Sequence, residues 1–253
     1  MTLYYAIVLF VFGTVLGSFY NVVGYRLPKG QSLIKPSSHC PNCNHKLKAY
    51  ELIPIFSFLL LGRKCSNCKQ KISWFYSSFE FITGVLFVLS YLKFGFSVEF
   101  FIGIILSSIL VIVIISDYQT MTIPDEVLVA GLILFIPLLF IKNGFNGLLF
   151  NLLDGVICFG AMLLLKLFGD IVFKKESMGG GDIKLMFLFG LILGYQMGLM
   201  SVVLAAFIAL PVSLIILLLK KDHEIPFGPF LSIACLIIYF TGLNMDTILH
   251  LFY

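Results

Sequence analysis

The stretch "VEFFIGIILSSILVIVIIS", residues 98–116, is apolar over nearly its whole length and is followed directly by Asp117. About 20 apolar residues in an α-helix cross the hydrocarbon core of a bilayer, so this stretch predicts a transmembrane helix. The whole chain has the same character, since 60% of its residues are hydrophobic and only 12% are charged, against about a quarter charged in soluble proteins. A water-soluble fold with a buried core would need far more polar surface.

Other apolar stretches recur along the chain, and they predict an all-α polytopic membrane protein with about eight transmembrane helices. The stretches 126–141 and 183–195 are short for a full crossing, which indicates a tilted or broken helix or packing around a cavity. The predicted spans cover residues 4–23, 75–92, 98–116, 126–141, 146–168, 183–195, 197–219 and 228–250.

The basic residues orient these spans. Nine of the 17 Lys and Arg residues lie between the first and second span, so the positive-inside rule places this segment in the cytoplasm and the N-terminus outside. Alternating the later spans leaves only Lys93 and Lys142 outside and puts Lys174, Lys175, Lys220 and Lys221 inside. The positive charge therefore indicates contact with anionic membrane lipids. It does not indicate nucleic acid, because no basic and aromatic groove pattern accompanies it.

Two C-x-x-C pairs lie in the predicted cytoplasmic segment, which covers residues 24–73. They read "CPNC" at Cys40 and Cys43 and "CSNC" at Cys65 and Cys68. Two such pairs at this separation are typical of a zinc ribbon, in which four thiolates surround one Zn²⁺ ion. A closed four-thiolate site has no open position for a substrate, so the predicted zinc is structural.

Other assignments of these sulfurs are two disulfides or four unused thiols. Disulfides are disfavoured because the cytoplasm is reducing. His39 and His45 offer alternative ligands beside the cysteines, but four sulfurs already complete a tetrahedral site. Cys158 and Cys235 lie inside apolar stretches and are assigned to core packing.

Two carboxylates lie at predicted helix ends on the cytoplasmic side. Asp117 directly follows the third span and Asp182 directly precedes the sixth. Charged residues at such positions are candidates for function. Two carboxylates that share a proton can hydrolyse a peptide bond, one as base toward water and the other as acid toward the carbonyl. Before Asp182, Gly179, Gly180 and Gly181 leave room for an extended substrate. The alternative for this stretch is a helix-breaking linker with Asp182 as its N-cap.

Five motifs occur in a characteristic order. They are "GSFYNVVGYRLP" (17–28), the paired "CPNC" and "CSNC", "SDYQTMTIPD" (116–125), "MGGGDIKL" (178–185) and "IPFGPF" (225–230). Together they resemble the type IV prepilin peptidases, membrane aspartic proteases of the GxGD class. The resemblance implies a multi-pass protein of the bacterial inner membrane that removes the leader of type IV prepilins or pseudopilins after a glycine. It also implies Asp117 and Asp182 as the catalytic residues. One departure is "ISWFYSSFE", where Phe75 and Ser77 stand at positions that in the family often hold a basic residue and a proline.

The same resemblance extends to further residues. Gly179, Gly181, Asp125 and Lys184 belong to its motifs as supporting residues, although Asp125 after a proline is also a helix start. Many members of the family also methylate the new N-terminal amine with S-adenosylmethionine, which implicates Asn21 and Arg26. Those two residues have structural alternatives, a bridge between helices for Asn21 and a membrane anchor for Arg26.

These assignments divide the chain into three parts. Residues 1–23 form the first span, residues 24–73 the zinc segment associated with methyl transfer, and residues 74–253 the membrane peptidase. Competing classes are another GxGD intramembrane protease, a transporter and a non-enzymatic polytopic binding protein. The sequence indicates neither the particular pilin nor the oligomeric state.

Overall fold

The computed structural model describes residues 1–219, 225–245 and 247. Lys220, Lys221 and the end of the predicted span 228–250 lie outside the described residues. Within the described part the chain is helical and contains no β-strand, only two isolated bridges that join His39 to Lys46 and Lys64 to Lys71. The α-helices are α1 (Thr2–Arg26), α2 (Phe56–Leu60), α3 (Trp74–Phe94), α4 (Val98–Thr120), α5 (Asp125–Phe173), α6 (Gly180–Leu193), α7 (Tyr195–Leu218) and α8 (Gly228–Thr241).

Five of these helices are long and apolar enough to cross a membrane. They are α1, α3, α4, α5 and α7, whereas α8 is apolar but shorter. Except on α4, which is largely buried, these helices carry many exposed large apolar side chains, as on α7, where Leu217 and Leu218 are 72% and 81% exposed. Exposed apolar surface on this scale requires lipid around it. The predicted all-α membrane class is confirmed.

The first compact unit, Met1–Ile115, is built on close packing of α1 against α3. A methyl group on Gly13 would lie 2.8 Å from the Cα of Gly84, and one on Gly17 would lie 2.9 Å from the Cα of Glu80. Only glycine permits this approach of two backbones. Small residues four apart are the usual means by which helices associate in a membrane, where lipid offers no hydrophobic driving force.

Within the same unit, α4 packs against the later turns of α1. The Tyr20 hydroxyl donates to Oγ of Ser108 at 2.7 Å, and Gly24 leaves space for the side chain of Ile115. These contacts hold the end of α1 that leads into the cysteine-containing segment.

The second unit, Ser116–Tyr253, contains α5 through α8. Helix α5 is not straight, because Gly144 has φ 68° and ψ −174° and interrupts the helical backbone. Leu132 and Val156 lie on opposite sides of this break, yet both line one cavity of about 500 Å³. In a straight helix they would be about 36 Å apart at 1.5 Å per residue, so the chain folds back at Gly144.

Polar side chains of α5 lie against the junction between α6 and α7. Asn151 donates to the carbonyl oxygen of Leu191 at 2.8 Å, and Oδ2 of Asp154 would lie 3.7 Å from a methyl group on Gly194, the residue between the two helices. With 14 residues, α6 is about 21 Å long, less than the bilayer core of about 30 Å. Because α6 is too short to cross the bilayer core alone, the free backbone groups at its end need protein partners, and Asn151 of α5 supplies one.

Candidate active site

Asp117 lies in the last turn of α4 and is buried, with 6% of its surface exposed. Its Oδ2 accepts the backbone N–H of Gly228, the first residue of α8, at 3.0 Å. A methyl group on Gly228 would lie 2.6 Å from the same oxygen. The carboxylate is therefore held against a glycine backbone at the start of another helix.

Asp182 lies in the first turn of α6 and is 8% exposed. The loop that leads to it is tethered to α5, because the backbone N–H of Ser177 donates to Oδ1 of Asp170 at 2.6 Å. Gly179 is the N-cap residue, and the cap has no side-chain hydrogen bond. Gly179 occupies the N-cap position, so Asp182 is not the N-cap of α6. The alternative in which Asp182 serves only as a helix cap after a linker therefore does not describe this structure.

The two aspartates come together within the second unit. The helix ends that carry them meet at the side chain of Ile123. Ile123 lies between Gly181, which precedes Asp182, and Gly228, which contacts Asp117. A methyl group on Gly181 would lie 2.8 Å from Cβ of Ile123, and one on Gly228 would lie 3.4 Å from its Cδ1. The helix ends that carry Asp117 and Asp182 thus approach each other, with a glycine on each side of Ile123, and the pairing of the two carboxylates in catalysis stays a prediction.

Asp125 and Lys184 form an ion pair beside this arrangement. Nζ of Lys184 lies 2.7 Å from each carboxylate oxygen of Asp125, and both side chains are more than half exposed. Asp125 is the first residue of α5, and Lys184 follows Asp182 by two positions on α6. The pair links the starts of the two helices, which fits a supporting role for both residues.

The four cysteines of the first unit converge on one point. Sγ of Cys40 lies 3.8 Å from Sγ of Cys68, Sγ of Cys43 lies 3.9 Å from Sγ of Cys65, and all four sulfurs lie within 4.8 Å of one another. A tetrahedral zinc site with Zn–S bonds of about 2.3 Å places its sulfurs about 3.8 Å apart. All six cysteines of the chain are free thiols, and the four that converge could hold a metal ion.

The two C-x-x-C turns have the same construction. In each, the residue after the second cysteine has a positive φ, 56° at Asn44 and 58° at Lys69. Side-chain amides then cross between the turns, since Asn42 donates to Cys68 and Asn67 donates to Cys43, each at 3.7 Å. Hydrogen bonds to the sulfurs favour their ionised form, which is the form that binds a metal.

The two nearby histidines have partners of their own. Nδ1 of His39 contacts the carbonyl oxygen of Ser37, and Nε2 of His45 contacts the buried Glu51 at 3.3 Å. The backbone N–H of Lys48 also donates to Glu51 at 2.7 Å, and this bond holds the pKa of its carboxyl below the usual range. Through His45 and Lys48, Glu51 therefore links the first C-x-x-C turn to the 3-10 helix that follows it.

Asn21 and Arg26 are both buried near the end of α1. The amide nitrogen of Asn21 donates to the carbonyl oxygen of Tyr76 at 3.0 Å, so this residue bridges α1 and α3. Arg26 donates through Nη1 to the carbonyl oxygens of Ser32 and Leu33 at 3.0 and 3.4 Å. In the part of the chain that the structure describes, its guanidinium has no carboxylate partner.

Several residues of the site carry no clear signal in the sequence. Gly228 belongs to the quoted "IPFGPF", but its contact with Asp117 joins positions 111 residues apart. Glu51 and Asp154 are polar residues whose partners lie on other elements. A glycine–proline pair at the start of a helix is the only local hint, and it predicts the helix and not the contact.

Two buried aspartates on an all-helical membrane scaffold, and a four-cysteine cluster earlier in the chain, are the features with which the chain is compared to known membrane peptidases. Residues 11–94 match the bacterial peptidase A24 N-terminal domain, and residues 104–214 match the type IV leader peptidase family. The chain belongs to the type IV leader peptidase family.

Curated relatives match nearly the whole chain. A prepilin leader peptidase/N-methyltransferase of Bacillus subtilis is 35% identical over 93% of this chain and 94% of its own length. Proteins with the same name are 32% identical in Neisseria gonorrhoeae, over 90% and 88%, and in Aeromonas hydrophila, over 92% and 89%. No solved structure matches the chain.

Proposed function

We propose that this protein is an aspartic endopeptidase that removes the leader of type IV prepilins or pseudopilins, with Asp117 and Asp182 as its catalytic pair. The observation that carries the proposal is that two buried carboxylates lie on helix ends that meet at Ile123, with Gly228 beside Asp117 and Gly181 beside Asp182. Membership of the leader peptidase family supports the substrate class.

The pair can carry out hydrolysis without a nucleophilic side chain. One carboxylate removes a proton from water, and the water oxygen adds to the peptide carbonyl carbon. The other, protonated carboxyl gives its proton to the carbonyl oxygen. The C–N bond then breaks as the pair gives a proton to the departing nitrogen and takes one back from a hydroxyl group of the tetrahedral intermediate, so one shared proton remains on the pair for the next cycle.

Space for the substrate lies at the start of α6. A methyl group on Gly180 would have nothing within 4 Å, and one on Gly179 would meet only Oδ2 of Asp182 at 3.8 Å. The backbone before Asp182 is therefore bare, and an extended peptide can approach the carboxylate there.

Amide substitutions test this assignment. Asp117→Asn and Asp182→Asn keep the shape of each side chain but remove its proton exchange, so each is expected to abolish cleavage of a prepilin in detergent. Glu126→Gln is the matched control, because it makes the same change at an exposed carboxylate one residue after Asp125. Turnover like that of the unmodified protein in either Asp variant would rule out the aspartyl mechanism.

The cysteine cluster is proposed to hold one structural Zn²⁺ ion through Cys40, Cys43, Cys65 and Cys68. Its four sulfurs lie within 4.8 Å of one another, with two of the distances at 3.8 and 3.9 Å, and no further ligand joins them among the described residues, so the ion closes the fold of this segment. The segment has little apolar core of its own, and a metal supplies the stability that such a core would otherwise provide.

A second activity, methylation of the new N-terminal amine with S-adenosylmethionine, is proposed from the names of the relatives. Arg26 fits a carboxylate of the cofactor, because its buried guanidinium has no carboxylate partner in the described chain. Asn21 acts as a positioning residue, because its amide nitrogen joins α1 to α3 and its Oδ1 is closed to solvent.

Labelled S-adenosylmethionine tests this second activity. Arg26→Gln is expected to lose methyl transfer to the cleaved pilin while leader cleavage continues. Lys29→Ala, which removes an exposed positive charge three residues later, serves as the control. A pilin that is cleaved to completion by the unmodified protein without gaining a methyl group would leave a peptidase only.

The orientation and the number of spans complete the proposal. We place the N-terminus outside and the carboxylate pair at the cytoplasmic face, with the two arms of α5 on either side of Gly144 counted as separate spans, for eight in all. Alkaline phosphatase, which is active only outside the cytoplasm, would be fused after Lys142 and after Lys174. High activity at the first position and low activity at the second is expected, and the reverse pattern would overturn the orientation.

A further inference from the structure

The segment between α1 and α3 contains one apolar stretch, residues 52–61, which reads "LIPIFSFLLL". Ser57 is its only polar residue, although the chain on both sides of it is rich in polar residues. Ten residues are too few to span a bilayer, and stretches of this length belong to a buried core helix or to a helix at the membrane interface. In the structure it contains α2 (Phe56–Leu60).

This stretch is not a buried core. Only Phe58 points into the protein, with 6% of its surface exposed, whereas Leu60 is 85%, Phe56 65% and Leu59 58% exposed. Exposed apolar residues of this size on one short helix mark a surface that is covered by something else. The first of the two alternatives is thereby excluded.

Contacts with α3 locate the stretch at a helix end. The backbone N–H of Ile55 donates to Oε2 of Glu80, in the second turn of α3, at 2.8 Å. The ring of Phe58 packs against Trp74, the first residue of α3, with centroids 5.0 Å apart. Helix α2 therefore lies beside the first turns of an apolar spanning helix, and Trp is the residue typical of the membrane–water boundary.

The charged residues that follow the stretch up to Trp74 are all positive. The guanidinium of Arg63 lies 4.6 Å from the Trp74 ring centroid, and Lys64 follows it on the surface. No Asp or Glu occurs between Glu51 and Glu80, and both of those carboxylates are buried. An apolar face bordered by cations is the pattern of a helix that lies in the plane of an anionic membrane surface.

We propose that residues 52–61 are a membrane-surface anchor, in which Phe56, Leu59 and Leu60 enter the acyl boundary of the leaflet at the Trp74 end of α3. Arg63 and Lys64 then lie among the lipid phosphates. The anchor holds the four-cysteine segment against the bilayer at a point between its two C-x-x-C pairs. This proposal requires that α3 crosses the membrane. It does not depend on the orientation of the chain or on the proposed peptidase activity.

Depth-dependent quenching of a single tryptophan tests the anchor. The chain has one tryptophan, Trp74, so Trp74→Phe provides a silent background. Leu60→Trp or Leu59→Trp then places a reporter on the exposed face of α2, and Gln70→Trp places a control at the second C-x-x-C turn, where Gln70 is exposed. Each protein is reconstituted in phosphatidylcholine–phosphatidylglycerol vesicles whose phosphatidylcholine is brominated near the headgroup end of its acyl chains.

The anchor predicts roughly two-fold or greater loss of emission at positions 60 and 59 with brominated lipid, and little quenching there by aqueous iodide. The control at position 70 should show the opposite pattern. Iodide quenching at position 60 without lipid quenching would overturn the proposal. Shielding from iodide that needs an added prepilin would assign the face to substrate, and shielding that needs high protein concentration in detergent would assign it to a second copy of the chain. Both outcomes would also overturn the lipid anchor.

Discussion

Gly228→Ala is a sharp test of how the carboxylate pair is positioned. The added methyl group would lie 2.6 Å from Oδ2 of Asp117, whereas ordinary contact begins near 3.4 Å. Either the carboxylate or the start of α8 must therefore move by about 0.8 Å. Because Gly228 also donates its backbone N–H to this oxygen, the movement changes the hydrogen bond that orients Asp117.

The size of the effect follows from this displacement. A shift of about 1 Å in a reacting group costs about 10²-fold in rate, so cleavage is expected to fall by about that factor. The fold should tolerate the change better, at about 1–3 kcal/mol for overpacking, because alanine is otherwise favourable in a helix. Activity should therefore be lost while the protein stays folded.

Gly180→Ala is the matched control, since its methyl group would have no neighbour within 4 Å. The rate of prepilin cleavage in detergent would be followed by mass spectrometry, and thermal unfolding would be measured on the same preparations. Full activity in Gly228→Ala, with Gly180→Ala equally active, would refute the contact between α8 and Asp117 as an element of the site.

Three further outcomes are expected. Gly181→Ala should reduce cleavage strongly, since its methyl group would lie 2.8 Å from Cβ of Ile123, and activity equal to the unmodified protein would contradict that packing. Lys184→Met removes an exposed ion pair, worth at most about 1 kcal/mol, so cleavage should fall by less than about six-fold; complete loss would show that Lys184 takes part in the chemistry. Cys40→Ser should lower the zinc content measured by elemental analysis and raise the protease sensitivity of its segment, whereas Cys158→Ser should leave both unchanged.

The sequence predicted the membrane class and the cysteine cluster because both are local properties. An apolar run such as residues 98–116 is recognisable without its neighbours, since the length needed to cross a bilayer depends only on helix rise. Each C-x-x-C pair likewise carries its own turn, so Cys40 and Cys43 share one geometry wherever the second pair lies. The predicted break between residues 141 and 146 also has a local cause, the positive φ of Gly144.

The predicted topology identified the two aspartates as candidates, but only the tertiary structure shows which residues contact them. Sequence order and the predicted membrane orientation assign Asp117 and Asp182 to one face of the membrane, but they do not predict a contact between them. The contact of Asp117 with Gly228 spans 111 residues, and the fit of Ile123 against Gly181 depends on the angle between helices. Side-chain packing across helices sets such distances, and no spacing along the chain encodes them.

For the apolar stretch 52–61, too, the sequence determines one property and the tertiary structure another. Its composition is evident in the sequence, yet a buried helix and a surface helix of this length have the same composition. The hydrogen bond from Ile55 to Glu80 and the exposure of Leu60 distinguish the two, and both depend on where α3 lies. Hydrophobicity along the chain determined that this protein enters a membrane, whereas three-dimensional packing decided which apolar residues face protein and which face lipid.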